Sequence, residues 1–255
     1  MKGERIDRSF TSDVFLDISL EQFKGRSVVN TLGNNESLPN GEITIWEEDT
    51  IYVFPTVASL FTVESSNVND VLGGSGIEKV ELNLLDADYN QFFEEVEMNG
   101  TSQVSILKLA IRCNGVKIIR ADQTVDDTNR VNAGIVRVKE PGGNVLAHMR
   151  AGENGSDGTF FTVARGKIAV IYFPSATVSS GTECDLLILL RDGPGLPFVK
   201  RRIFSVFEGS IVTEINKPIK KLPEFGDLIL NVDKLTGGPS PMISGGIQII
   251  LMNKL

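Results

Sequence analysis

From Ile77 to Leu84 the chain alternates with period two. Ile77, Lys79, Glu81 and Asn83 fall on one side, and Glu78, Val80, Leu82 and Leu84 on the other. Successive side chains point to opposite faces only in a β-strand, so this stretch predicts a strand with one mostly buried side. Short apolar runs closed by Gly, Asn, Asp or Pro recur along the chain: Val14–Leu20, Ile43–Trp46, Ile51–Phe54, Phe61–Val63, Gly134–Val138, Val145–Met149, Phe160–Val163 and Lys167–Phe173. Cys184–Arg191 and Phe198–Phe207 enclose Asp192-Gly193-Pro194-Gly195-Leu196-Pro197, a turn-forming stretch that predicts a long hairpin. Ile211–Ile215, Leu228–Val232 and Ile243–Leu251 complete a strand-rich final third. Helical signals are scarce: Gln103–Arg112 reads as a helical turn or a strand, and Ser19–Phe23 as a short helix with Ser19 as N-cap.

Many short strands without βαβ alternation predict an all-β fold, a jelly-roll-like antiparallel β-sandwich, elaborated or divided into two lobes. The first residues, 1–12, are charged and lack strand periodicity; they predict an N-terminal arm that orders on a neighbour, with the sandwich occupying 13–255. If there are two lobes, the boundary falls near 141–158, where Gly142-Gly143 and Gly152–Gly158 read equally well as long loops.

Composition decides what such a fold can meet. Charged residues are 23% and apolar residues 41% of the 255, enough to build a core and too apolar for disorder. The net charge of −8 argues against nucleic acid and anionic membranes, since neutralising phosphates needs clustered Lys and Arg. No stretch has the length of a membrane helix, and the start, MKGERIDRSF, has no apolar run behind it, so the expectation is a soluble chain synthesised in a cytoplasm. Cys113 and Cys184 sit in apolar runs and read as core thiols.

The chemistry-bearing residues are few. His148, the one histidine, lies in the alternating run Asn144–Arg150 and is expected on the solvent side of a strand; no nucleophile elbow accompanies it. With three His and Cys residues in all, a zinc site is not expected, and no catalytic residue is assigned. Gly73-Gly74-Ser75-Gly76 lacks the Gly-Lys-Ser/Thr ending of a phosphate loop and precedes a strand, which makes it a connector. Asp86, Asp88 and Asn90 stand at the first, third and fifth positions of an EF-hand spacing that would end at Glu97. Gln91, however, occupies the position where the sharp turn needs glycine, so an Asx-rich turn is favoured over a calcium site. Acidic pairs at Glu47-Glu48-Asp49, Glu94-Glu95 and Asp126-Asp127 read as solvated turns and strand faces rather than the paired acids of a glycan-degrading enzyme. Lys200-Arg201-Arg202 is the compact basic run, either an interface stripe for an acidic partner or a charged strand edge. Trp46, Tyr52, Tyr89 and Tyr172 are candidates for a stacking platform in a receptor- or carbohydrate-binding module.

Asn69-Asp70, Gly73–Gly76, the run Val80 to Asn90, Val96 and Asn99-Gly100-Thr101 together resemble a pattern in virion-associated structural proteins of tailed bacteriophages, especially marine and cyanobacterial ones. The likeness extends upstream through Ile18–Leu20, Ser27–Asn30 and Phe54-Pro55, and downstream through Asn132–Ile135, Ala151–Asn154 and Gly166-Lys167. It fades in the last third. In that family Thr is common at the position of Glu97, which weakens the calcium reading further. The resemblance implies a non-enzymatic virion protein, a capsid decoration or cement protein or a tail or neck component, located in the virion. Its implied partners are other virion proteins, such as major capsid or tail proteins, and its implied state a homo-oligomer, a trimer for a decoration protein.

Overall fold

The computed structural model describes residues 25–119, 131–212, 219–236 and 241–254, with the backbone alone at 173, 202–203 and 208–212. The N-terminal arm, the strand expected at Val14–Leu20, the helix candidate Ser19–Phe23 and the pair Asp126-Asp127 lie outside the described residues.

The elements, in chain order, are β1 (Arg26–Asn35), β2 (Gly41–Thr44), β3 (Thr62–Ser65), β4 (Lys79–Leu85), β5 (Gln91–Glu97), β6 (Val104–Ser105), β7 (Arg112–Ile119) and β8 (Val136–Lys139). They continue as β9 (Val145–Met149), β10 (Phe160–Thr162), β11 (Lys167–Arg191), β12 (Val199–Val212), β13 (Lys220–Leu222), β14 (Asp227–Thr236) and β15 (Ile243–Asn253). The fold is all-β and antiparallel, as the alternation predicts. Among the described residues no helix is long and apolar enough to cross a membrane.

Two cores organise these strands. The four-stranded sheet β6-β3-β8-β9 faces the three-stranded sheet β5-β4-β7, and Val63, Leu82, Cys113, Val138, Leu146 and their neighbours fill the space between. In β4 the side carrying Val80, Leu82 and Leu84 is fully buried while Lys79, Glu81 and Asn83 are half-buried, the assignment the alternation gives. The second core belongs to a single eight-stranded sheet, whose inner residues from β2, β10, β11, β14 and β15 all join one cluster. One face of one sheet can enclose a common core only by curling on itself.

Strand β11 organises the curl. Its first half pairs with β15 and its second half with β14, while β12 follows it on the other side. Ala169 and Ile171 point inward, then a register shift between Tyr172 and Pro174 changes the parity, so that Ala176 and Val178 face the core. Pro174 stands directly after this bulge, a position within a sheet that tolerates proline. A second irregularity follows Val178, where Gly181 adopts φ +74°, a left-handed conformation that costs glycine little. The two strands expected at 167–173 and 184–191 are therefore one bent strand of 25 residues. Ile51–Phe54, by contrast, forms no ladder; its aromatic rings are used for packing instead. Gln103–Arg112 resolves into β6, a bridge at Ala110, and the start of β7.

The range 141–158 holds the β8–β9 turn, β9, and the segment by which the chain leaves the sandwich for the curled sheet. The curled sheet takes its strands from both ends of the described chain, β1 pairing with β15 from Arg26↔Met252 to Asn35↔Ile243. Within that pair Gly33 faces Gly245, and a Cβ on Gly33 would lie 2.0 Å from the carbonyl oxygen of Ile45. Only glycine admits that approach.

Candidate functional site

The most polar part of the interior lies where the two cores meet. Asp227 opens β14 and is flanked in register by Thr162 at the end of β10 and Arg191 at the end of β11. Arg112, at the start of β7, reaches it from the sandwich, with Nε 3.3 Å from Asp227 Oδ1; Arg112 is 2% exposed and Asp227 0%. Arg191 Nε lies 2.5 Å from Asp227 Oδ2. The same Nε–H is shared with Thr162 Oγ1 at 3.1 Å, while Nη1 donates to the carbonyls of Ile111 and Pro55 and Nη2 to Tyr89 Oη at 3.3 Å and Asp227 Oδ2 at 3.5 Å. Such saturation lets a guanidinium persist out of water.

Aromatic rings roof this cluster. Tyr52 stacks on Phe160 with centroids 3.6 Å apart, Trp46 meets both edge-on, and the Arg112 and Arg191 guanidiniums lie about 5 Å from the Phe54 ring. Trp46 Nε1 donates to the Thr50 carbonyl at 2.9 Å. Burial pushes the Tyr52 hydroxyl well above its ordinary pKa.

These positions correct the expected stacking platform. Trp46 is 2%, Tyr52 3% and Tyr89 8% exposed, so all three rings are consumed in packing; Tyr172 is half-buried on β11 opposite Gln248. Two strands are expected at Ile43–Trp46 and Ile51–Phe54, but strand pairing ends at Thr44, and the irregular path of 45–54 turns the aromatic side chains inward together.

His148 also departs from expectation. It is buried, because β9 is covered by the segment carrying Glu48 and by a bridge to Asp157. Its Nδ1 lies 2.8 Å from Glu48 Oε1, and Arg137 Nε donates to the same oxygen at 2.7 Å. The His148 hydrogen bond first, then Arg137, holds the Glu48 carboxyl at about 2 against the opposing effect of burial. Glu47 meanwhile pairs with Arg150, so the acidic triplet at 47–49 is only partly the solvated turn that was expected.

Asp86, Asp88 and Asn90 do come together, in the β4–β5 turn. Asp86 Oδ1 accepts from the backbone N–H groups of Asp88 at 3.0 Å and Asn90 at 2.9 Å, which is the Asx-turn geometry, and Lys108 Nζ lies 2.9 Å from Oδ2. Burial is the largest single influence and opposes ionisation, but hydrogen bonds from Lys108, Asn90 and Asp88 together outweigh it and hold Asp86 below the usual carboxylate value. Glu97, the would-be twelfth ligand, pairs with Lys79 at the far end of the hairpin. Six strand residues separate it from the turn, about 20 Å at 3.3 Å each. Tyr89 sits in the turn at φ +63°, held there by its hydroxyl on Arg112 and its ring against Phe225.

The basic run lies on β12. Lys200 is exposed with Nζ 3.3 Å from Glu42, Arg201 is exposed, and Arg202 pairs through its backbone with Ile188. Cys113 and Cys184 are buried free thiols; burial raises Cys113 to about 12 and Cys184 to about 11.

Asp70 gave no signal in the sequence. It is fully buried and accepts from the N–H groups of Ile77, Ala133 and Gly134 at 2.8–3.0 Å and from Ser65 Oγ at 2.5 Å. The Gly73–Gly76 connector wraps this carboxylate so closely that a Cβ on Gly76 would lie 2.1 Å from Asp70 Oδ1. Gly76 leaves room for the Asp70 carboxyl, and Gly74 for the Asn69 carbonyl.

No family model matches the chain, and no curated protein matches it. Among solved structures, that of infectious bursal disease virus Gx strain is 11% identical over 89% of this chain and 72% of that one, with a TM-score of 0.23. Broad bean stain virus gives 10% identity over 80% and 89% with a TM-score of 0.18, and the infectious bursal disease virus VP2 subviral particle 10% over 90% and 72% with 0.20. Superpositions this loose transfer neither fold nor role.

Proposed function

We propose that the chain is a non-enzymatic virion structural protein of a tailed bacteriophage, a capsid decoration or cement protein or a tail or neck component, working as a homo-oligomer beside major capsid or tail proteins. The observation that carries the structural part of this reading is where the polar side chains go. Arg112, Asp227 and Arg191, Glu48, His148 and Arg137, and Asp70 are bonded inward, joining strands and sheets. Meanwhile β12, fourteen residues long, pairs only with β11 among the described residues, and carries Lys200, Arg201 and the 66%-exposed Phe207 toward solvent. A rigid block with a long available strand edge suits assembly, because an unpaired edge is a template for a neighbour. The phage assignment rests on the sequence resemblance.

Mass spectrometry of purified virions tests this reading, with the chain expected in many copies; its absence from virions overturns it. Recombinant protein is expected to sediment as an oligomer. The carbohydrate-binding alternative loses its aromatic platform, since Trp46→Ala would open a hole in the core rather than strip a surface.

A further inference from the structure

The segment 150–159 straps the sandwich to the curled sheet. Ser156 N–H donates to the Val116 carbonyl of β7 at 2.7 Å, Asp157 N–H to the His148 carbonyl of β9 at 2.8 Å, and Gly158 N–H to the Leu32 carbonyl of β1 at 2.6 Å. Three consecutive amides thus tie three strands from both cores. Beneath the strap lies a cleft of about 430 Å³, lined by Glu153 and Asp157 from above and by Asn34, Ser175, Thr177 and Ser244 on the outer face of β1, β11 and β15.

The charges around Asp157 are unbalanced. Among the described residues its one ion-pair partner is Arg150, with Nε 3.8 Å from Oδ2, but the other Arg150 nitrogens are engaged by Glu36 at 2.9 Å and by Glu47. Glu48 is committed to His148 and Arg137, and Lys117, whose neighbour in the bridge is Gly155, is committed to Glu81 at 2.8 Å. The cleft residues from β1, β11 and β15 are uncharged. One guanidinium therefore answers Glu36, Glu47 and Asp157, with Glu153 beside them.

We propose that the Glu153–Asp157 pair is a proton-operated latch, which closes the strap over the cleft when the pair holds a proton and loosens it when both carboxyls are ionised. Desolvation, then the charge of Glu153 and a hydrogen bond to it, raise Asp157 from 3.8 to about 7, against the pull of Arg150. A strap that has swung into water frees Asp157 to titrate at its ordinary value. The sign follows: the closed form binds the proton more tightly, so closure is fully favoured below about pH 4 and weakens about tenfold per pH unit as pH rises toward 7. Above that value both forms are ionised and the equilibrium is level. The cleft gives water a route to the pair and the strap room to move.

Amide hydrogen exchange of Ser156, Asp157 and Gly158 in the full chain, measured from pH 4.5 to 8 and divided by the intrinsic exchange rate at each pH, reads the opening constant. It is expected to rise at least tenfold between pH 5 and pH 7 (the linkage slope allows about a hundredfold) and then to level. In Asp157→Asn, which mimics the protonated state and leaves His148 in place, the profile is expected to be flat. A flat wild-type profile, or an unchanged slope in Asp157→Asn, overturns the proposal. Should that variant fail to fold, the carboxyl ¹³C shift of Asp157 in the wild type decides: a midpoint within one unit of 7 supports the latch, and one at ordinary carboxylate values overturns it. Glu153→Gln is expected to lower that midpoint.

Discussion

Asp227→Ala is the perturbation that probes the junction most directly. The carboxylate is fully buried between Arg112 and Arg191, so its removal strands a guanidinium that is 2% exposed. Breaking a buried pair by deleting one partner costs about 3–5 kcal/mol, because the remaining charge stays desolvated. Arg191, at 13% side-chain exposure, can turn toward water and relieve part of its own loss, but Arg112 is pinned by Pro55, Ile111 and Tyr89. For a chain of this size each kcal/mol moves the melting midpoint by about 2–4 °C, giving a fall of roughly 6–20 °C. Replacing both partners, Arg112→Met with Asp227→Leu, removes the desolvation cost along with the attraction but leaves the Pro55 and Ile111 carbonyls without their donor at about 1–3 kcal/mol each, so the double variant should stay below wild type yet be clearly more stable than the sum of its singles. Urea titration and calorimetry of Arg112→Met, of Asp227→Leu and of the double complete the cycle. A loss below about 1 kcal/mol in Asp227→Ala, or a double variant as unstable as the sum of its singles, would refute the claim that charge burial dominates this site.

Leu82→Ala, at a fully buried position between the facing sheets, should cost about 2–5 kcal/mol by denaturant titration, whereas Glu95→Ala on the exposed side of β5 should stay within about 0.5 kcal/mol. Glu48 is held at about 2 against an ordinary 4.5, so its contribution is complete above pH 4.5 and is lost as pH falls toward 2. The linkage ceiling is about 3 kcal/mol, discounted to about 1–2 for its partial exposure; the melting curves of wild type and Glu48→Gln should therefore draw together below pH 4.5 and converge only as pH reaches about 2. Addition of millimolar calcium should leave the melting temperature unchanged, because Asp86 is satisfied by Lys108 and the turn amides and Glu97 is remote; a rise of several degrees would reinstate a metal site. Cys113 should resist alkylation at pH 8 in the folded chain and react on unfolding, as read by mass spectrometry.

The alternation in β4 and the turn residues after it were legible because they are local: polarity with period two and an Asx turn need no distant partner. The same reading misplaced Trp46, Tyr52 and His148 because burial is decided by what covers a strand from outside. His148 alternates as a solvent-facing residue does, and only the return of Glu48 and Asp157 across β9 encloses it. Asp70 and Asp227 were illegible for a related reason. Their partners lie at sequence separations of 63 for Ala133 and 115 for Arg112, and no spacing rule connects them. The length of β11 was hidden by Pro174 and Gly181, which read as strand ends yet serve as bulges within one bent strand.

The order of strands along the chain explains why so much polar chemistry gathers at the junction. The curled sheet begins with β1 and β2, is interrupted while the chain builds the sandwich from β3 to β9, and resumes at β10. Both crossings, at 45–58 and 150–159, must therefore run along one boundary. Backbone that crosses between sheets leaves part of its hydrogen-bonding groups outside both ladders, and side chains supply partners there. Arg112 accordingly binds the carbonyls of Pro55 and Ile111, and Thr159 those of Ile45 and Leu230. An apolar junction of the same shape would leave those carbonyls unsatisfied at about 1–3 kcal/mol each. The buried charges follow from the interruption of one sheet by another.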